Sequence, residues 1–328
     1  MAGLGATNPT LLDQIKATAP DGAIADVVEA LTENNPILMD ATAMEGNLPT
    51  GHRVTVRSGL PTLAWRMYNE GVAASKSTTI QVDESCGMLN GRSNLDCSLA
   101  RLNGNEAEFR ALQDKGFLQK FNNQMAAALF YSNIEQNPEQ MQGLLPRFNT
   151  LGLSQVVNYA GISSDAASGA EQSSIWFVTW STDGCYLIYP KGSSAGLTRT
   201  DMGKQLVSDG TNDFLAWVTD FEWQIGLAVQ DWRNIVRVCN IDSSTMATDE
   251  TWIEIAMIEG YNRIHDLNAG RTICYMSRQV KTWLERQVAV KGTMNYTPTD
   301  WHGKTIQSFR GIPIVTCDAL TVTEAVVA

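Results

Sequence analysis

The sequence is poor in charge, in histidine and in long apolar runs, and each shortage excludes something. Charged residues make up 18 % of the 328, against about a quarter in ordinary globular chains. Lys and Arg never cluster, the net charge is −11 and the pI is about 4.8. A basic footprint for nucleic acid is therefore absent, and wholesale phosphate neutralisation is excluded. No apolar run approaches the length of a membrane span, so no membrane partner is expected. The N-terminal MAGLGATNPT has neither the charged nor the apolar region of a signal peptide. Six cysteines (Cys86, Cys97, Cys185, Cys239, Cys274 and Cys317) include no CxxC pair and no metal-ligand spacing with histidine. They read as small core residues of a protein folded in reducing cytoplasm, and a Cys86–Cys97 disulfide is not expected there.

Chemistry is scarce as well. Only His52, His265 and His302 could serve a catalytic set. His265 precedes Asp266, but neighbours in sequence are not partners in space, and all three read as structural. GKT at 303–305 resembles the end of a phosphate loop, but Pro298 stands where its first glycine is needed, and GLG at 3–5 follows no strand. Asp83, Glu84 and Asp96 are too scattered for a calcium loop and read as solvated charges. Trp223, Trp232, Trp252 and Trp283 read as core or interface anchors rather than a ligand cage. No cofactor, metal or catalytic constellation is expected.

What the chain does have is an unusual segment, VTVRSGLPTLAWRMYNEGVAASKSTTIQVDE, over 54–84. Val54 and Val56 alternate with polar neighbours, as do Ile80 and Val82, which is the pattern of two half-buried strands. About twenty residues lie between them, long for a connection in a compact domain unless it has a function. That connection carries Leu60, Leu63, Trp65, Met67 and Tyr68, which a disordered linker would not. Arg57, Arg66 and Lys76 supply cations along the same arm.

Elsewhere the elements are mixed. Residues 1–50 read as an arm with two short helices: Asn8 caps the first, Asp21 the second with Ile24, Val27, Val28 and Leu31, and Asn34-Asn35-Pro36 stops it. EGNLPTGH at 45–52 is rich in turn formers, and CGMLNGRSNLDC at 86–97 reads as a loop. Asn105 with Glu108 forms a capping box for a helix over 106–133, with Phe109, Leu112, Leu118, Phe121, Met125 and Leu129 on one side. At ~40 Å it is a structural spine. IWFVTW and CYLIY around STDG read as a hairpin, and 191–198 as a surface loop. Residues 220–231 read as a long strand and 235–241 as its return. A helix over 249–265 capped by Asp249, a buried strand at 271–276, a helix capped by Ser277, and two strand pieces around Arg310-Gly311 complete an α+β chain.

This order, together with NPTLLDQIK, VVEALTENNPIL, EGNLPTGH, VRSGLPTLAWR, MQGLLPRFN, WQIGLAVQDWRNIVRVCNID and FRGIPIV, resembles the Hong Kong 97-type major capsid proteins of tailed phages, in particular those of short-tailed phages of the epsilon-fifteen kind. The resemblance implies an icosahedral shell of hexamers and pentamers, with an N-terminal arm (1–50), an extended hairpin loop (51–98) and the spine helix of a peripheral domain (99–149). It further implies part of an axial domain (150–212), long peripheral strands (213–244), and the rest of the axial domain with closing strands (245–328). Arm and loop then lie on neighbouring subunits, with Arg57, Leu63, Trp65, Arg66, Met67, Tyr68 and Lys76 at the interface. Arg57 and Arg66 would pair there with carboxylates such as Asp83 or Glu84. Gly71 and Gly116 are flex points in the resemblance and ordinary surface glycines otherwise. Implied partners are other copies of the chain, a scaffolding protein, a portal, a cement protein and enclosed double-stranded DNA. An encapsulin-type nanocompartment shell and an enzyme with a lid at 57–78 are the competing readings.

Overall fold

The computed structural model describes residues 8–9, 33–162, 169–208, 210–245, 253–291, 296–301 and 304–328, with no side chains for 103 or between 289 and 306. The expected first helices, the Asp249 cap, Trp252 and His302 lie outside these residues. After Asn34-Asn35-Pro36 the chain makes one helical turn, α1 (Ile37–Asp40), then β1 (Ala43–Glu45), β2 (Gly51–Gly59) and β3 (Thr78–Asp96). The turn α2 (Cys97–Ala100) leads into the long helix α3 (Glu106–Tyr131). Strands β4 (Val156–Asn158), β5 (Gln172–Trp180), β6 (Cys185–Tyr189), β7 (Leu197–Ser208), β8 (Asp213–Val229) and β9 (Ile235–Asp242) follow. Helix α4 (Ile253–Arg263), β10 (Arg271–Met276), α5 (Arg278–Lys291), β11 (Tyr296–Trp301), β12 (Lys304–Phe309) and β13 (Ile312–Thr316) close the chain. The described strands join in one sheet ordered β11-β12-β13-β10-β5-β6-β8-β3-β2, with β9 and β4 beyond β5, β7 on β8 and β1 on β6.

The centre of this sheet is covered on both faces. Every residue of β5 and β9 is buried, as in strands covered on two sides. Alternation sends Trp176, Val178 and Trp180 of β5, with Ile273 and Tyr275 of β10, toward Met125, Leu129 and Phe130 of α3. Ile175 and Phe177, with Cys274 and Met276, face Ile253, Met257, Val280 and Leu284 of α4 and α5. Five of the cysteines are buried and all six are free thiols. Burial raises the thiols of Cys185 and Cys317 to about 12, which suits core residues and not nucleophiles.

Several expectations need correction. The glycines that suggest a loop at 86–97 serve close approach, and β3 runs straight through them, paired to β8 from Cys86 to Asp96. A Cβ on Gly87 would stand 2.8 Å from the Met141 backbone nitrogen, and one on Gly91 3.0 Å from the Phe121 ring. IWFVTW and CYLIY do not form a hairpin. They touch only at Trp180 and Cys185, in parallel sense, while β5 pairs with β9 and β10 and β6 with β8. The return strand β9 likewise pairs with β4 and β5 rather than with β8. The polar strand β7 was not expected; it pairs along β8 with a bulge at Gly203.

The spine helix falls within two residues of its expected span. Asn105 is its N-cap residue, but its side chain makes no capping bond. Leu118 is exposed, and Phe117 takes its place, stacked on Phe221 at 5.4 Å. Gly116 has open space around its missing Cβ and no positive φ. Gly116→Ala should therefore stabilise the subunit by about 1 kcal/mol, the intrinsic helix preference. Urea unfolding of dissociated subunits checks this; a loss of stability would show that the helix needs glycine there.

Candidate functional site

The segment between β2 and β3 projects from the body as two limbs. Residues 60–83 are all exposed. Leu63, Trp65, Met67 and Tyr68 show 88, 104, 75 and 98 % of their surface, so these expected interface side chains are left largely uncovered by their own chain. Polar bonds give the limbs their shape in place of a core. The Ser58 and Thr78 hydroxyls meet at 3.0 Å, and Ser75 Oγ donates to the Thr62 carbonyl at 2.7 Å. At the tip Asn69 takes φ 70°, the Met67 amide donates to Glu70 Oε2, and Arg66 donates to the Glu70 carbonyl at 3.0 Å. Arg57, Arg66 and Lys76 form no ion pair among the described residues. Gly71 is open and without positive φ. The strands feeding the loop are covered on less of their surface than alternation suggests: Val54 is buried, but Ile80 and Val82 are exposed.

The root of the loop is anchored. Glu84, read from sequence as a solvated charge, is buried and accepts both Nη1 and Nη2 of Arg147 at 2.6 Å. Arg147 also donates to the carbonyls of Gln142, Gly143 and Leu227. One guanidinium thus joins β3, the turn after α3, and β8. Asp83 pairs with Arg53 across the hairpin at 2.5 and 2.6 Å, and those hydrogen bonds hold its carboxyl below the usual carboxylate range. The Asn47 side chain clips both backbone groups of Arg53, and its backbone N–H donates to His52 Nδ1. Cys86 is half-buried, and burial pushes its thiol up to about 11. Asp83 and Glu84 therefore already carry arginines of their own chain. Asp96 caps α2 through the Ser98 amide at 2.6 Å.

The arrangement is an apolar arm tied to the body at its base by ion pairs and hydrogen bonds. Among the described residues no cluster of His, Cys, Asp and Glu could hold a metal ion, and no described helix is long and apolar enough to cross a membrane. His265 and Asp266 are both exposed. Trp223 and Trp283 pack against the cores, while Trp232 is about half exposed. Sequence reasoning missed Glu84 and Arg147, 63 residues apart; no local spacing marks such a pair.

A long helix laid on a sheet, with a projecting two-limbed loop, defines a phage capsid fold of the Hong Kong 97 type. The capsid of bacteriophage JBD30 shares it at a TM-score of 0.50 and 10 % identity, over 89 % of this chain and 93 % of that one. A chain of the bacteriophage Epsilon15 structure matches at a TM-score of 0.79 and 34 % identity, over the whole of both chains. The chain belongs to the major capsid protein GP7 family, whose profile matches residues 19–328. It is thus a structural protein that assembles with copies of itself into the shell of a phage particle. An encapsulin of Synechococcus elongatus is similar at a TM-score of 0.45 and 10 % identity, over 71 % of this chain and 96 % of that one, too little to bear on function. No curated protein matches.

Proposed function

We propose that the shell is icosahedral, built from hexamers and pentamers, and held by non-covalent contacts in which the loop lies on the neighbouring subunit. The observation that carries this reading is the exposure of Leu63, Trp65, Met67 and Tyr68 on an anchored arm. Burying each large side chain contributes about 1.5–3 kcal/mol, and repetition around a closed shell multiplies modest contacts. Arg57 and Arg66 orient the contact by pairing with acidic groups of the neighbour, and Lys76 is a solvated cation rather than a cross-linking amine. Residues 1–50 act as a second arm. Residues 51–98 are the loop, and 99–149 with 213–244 the peripheral domain; 150–212 and 245–328 contribute the axial domain and closing strands. Gly71 and Gly116 are the points at which loop and helix reorient if the shell expands.

In this reading a separate scaffolding protein guides assembly in the host cytoplasm, a portal occupies one vertex, and a cement protein can decorate the outside. The net charge of −11 keeps enclosed double-stranded DNA from adhering, because like charges repel. Trp65→Ala should leave the subunit folded by circular dichroism and reduce shells seen by sedimentation and negative-stain microscopy. Normal shells of normal thermal stability would refute the loop's role, and a ladder of multimers on reducing, denaturing gels would refute the non-covalent joint.

A further inference from the structure

Strand β7 lacks the usual reason to be a strand. None of its twelve residues is buried, and its apolar Met202 and Leu206 are 43 and 72 % exposed. Strands polar on both faces hold their register weakly. Yet β7 pairs with β8 along its whole length, from Leu197 to Ser208, with one bulge. Among the described residues β8 is its one strand partner, so the outer edge of β7 is open. Beneath it β8 is rich in large apolar residues: Phe214, Leu215, Trp217, Val218, Phe221 and Trp223. Were β7 to come away, β8 would present a long apolar edge, the feature that templates pairing between chains.

Charge supplies what apolar packing does not. Arg110 of α3 donates to Asp201 Oδ2 at 2.7 Å, and Arg199 Nε donates to Asp114 Oδ2 at 2.9 Å. The two pairs are crossed: helix and strand each contribute one cation and one acid. Four helix residues rise about 6 Å and two strand residues about 6.8 Å, so both pairs close at once. The helix partners are the better covered. The side chains of Arg110 and Asp114 are 17 and 11 % exposed, those of Asp201 and Arg199 41 and 45 %. Arg110 and Lys204 also lie over the Trp217 ring of β8, at 4.4 and 4.8 Å, where an aromatic face attracts a cation. Asp201 closes the bulge by accepting the Gly203 N–H at 2.9 Å, with Gly203 at φ 72°. A slip of one residue turns Arg199 and Asp201 away from the helix. A slip of two sets Arg199 against Arg110 in one direction and Asp201 against Asp114 in the other. We propose that the crossed ion pairs lock β7 in register over the edge of β8. They thereby keep free subunits from pairing edge to edge with one another outside the shell.

The test places nitroxide labels on Thr198→Cys and Glu222→Cys, which stand opposite each other across β7 and β8. Alternation puts both on the face away from α3, clear of the ion pairs. The background is Cys86→Ala, since the remaining native thiols are all buried. With native charges, unassembled subunits should show the labels in close dipolar contact and sediment without aggregates. Asp114→Arg and Arg199→Asp should each lose that contact, a slip of two residues separating the labels by about 7 Å, and drive the subunits into strand-rich aggregates. The two together exchange the signs of the pair, and should regain both the native distance and dispersal. That regain separates a lock from a mere loss of folding. A single reversal that keeps the native distance overturns the proposal, as does a double variant that fails to regain it. Distance lost in subunits that stay dispersed overturns the role at the edge and leaves the register lock standing.

Discussion

Glu324→Ala is expected to remove about 3–5 kcal/mol from the stability of the subunit, the usual cost of stranding a buried charge. Glu324 and Arg237 are almost wholly buried and meet at 2.8 Å. The carboxylate also accepts the Tyr131 hydroxyl at 2.7 Å and Ser174 Oγ at 2.5 Å. Arg237 fills its remaining directions with Ser174 Oγ and the Phe148 carbonyl, and lies over the Trp176 ring at 5.3 Å. Burial and the nearby Glu324 charge push the Tyr131 hydroxyl well above its ordinary range, so it stays a donor. The last residues of the chain are thereby tied to the end of α3, to β5 and to β9. Removing the carboxylate leaves an almost wholly buried guanidinium with no counter-charge. Urea unfolding of dissociated subunits measures the loss. A double variant, Arg237→Met with Glu324→Leu, should cost far less than the two single losses combined, since replacing both charges leaves neither stranded. Additive losses would show that the pair acts as two independent contacts.

What could be read from sequence was whatever repeats over a short span. The alternation around Val54 and the helical spacing from Phe109 to Leu129 placed β2 and α3. The apolar cluster from Leu63 to Tyr68 between breakers singled out the arm, because burial-seeking side chains without a local partner imply a partner elsewhere. Position-specific sterics could not be read. Gly87 and Gly91 look like loop formers until Met141 and Phe121 are seen against them. Strand β7 is exposed along nearly all its length, so it carries no apolar alternation and owes its conformation to the ladder on β8. The buried ion pairs join residues 63 and 87 positions apart, and a charge that will be buried looks in sequence like one that will be solvated. The resemblance to capsid families supplied the shell, but not the root of the arm.

That root carries the second large effect. Glu84→Ala should cost the subunit about 3 kcal/mol, toward the low end for a broken buried pair because Arg147 keeps some access to water. Its effect on assembly should exceed that of Trp65→Ala. In the proposed contact Trp65 is one side chain, whereas Glu84 holds the root of the whole arm through a two-pronged bond to Arg147. Arg147 in turn holds the turn after α3 and the β8 carbonyl at Leu227. Without Glu84, the hairpin keeps its own Arg53–Asp83 pair and its ladder between β2 and β3, so the arm persists but swings. A swinging arm must give up that freedom on docking, which weakens every contact it makes. Arg147→Lys separates charge from geometry. Lysine keeps the cation but cannot reproduce the planar fork, so it should recover part of the stability and little of the assembly. Urea midpoints and shell yields, measured side by side for Glu84→Ala, Arg147→Lys and Trp65→Ala, check this. If shell yield simply follows subunit stability across the three, Glu84 is a fold residue and the arm needs no aiming; a deficit in shells for Glu84→Ala beyond its loss of stability assigns it to the contact.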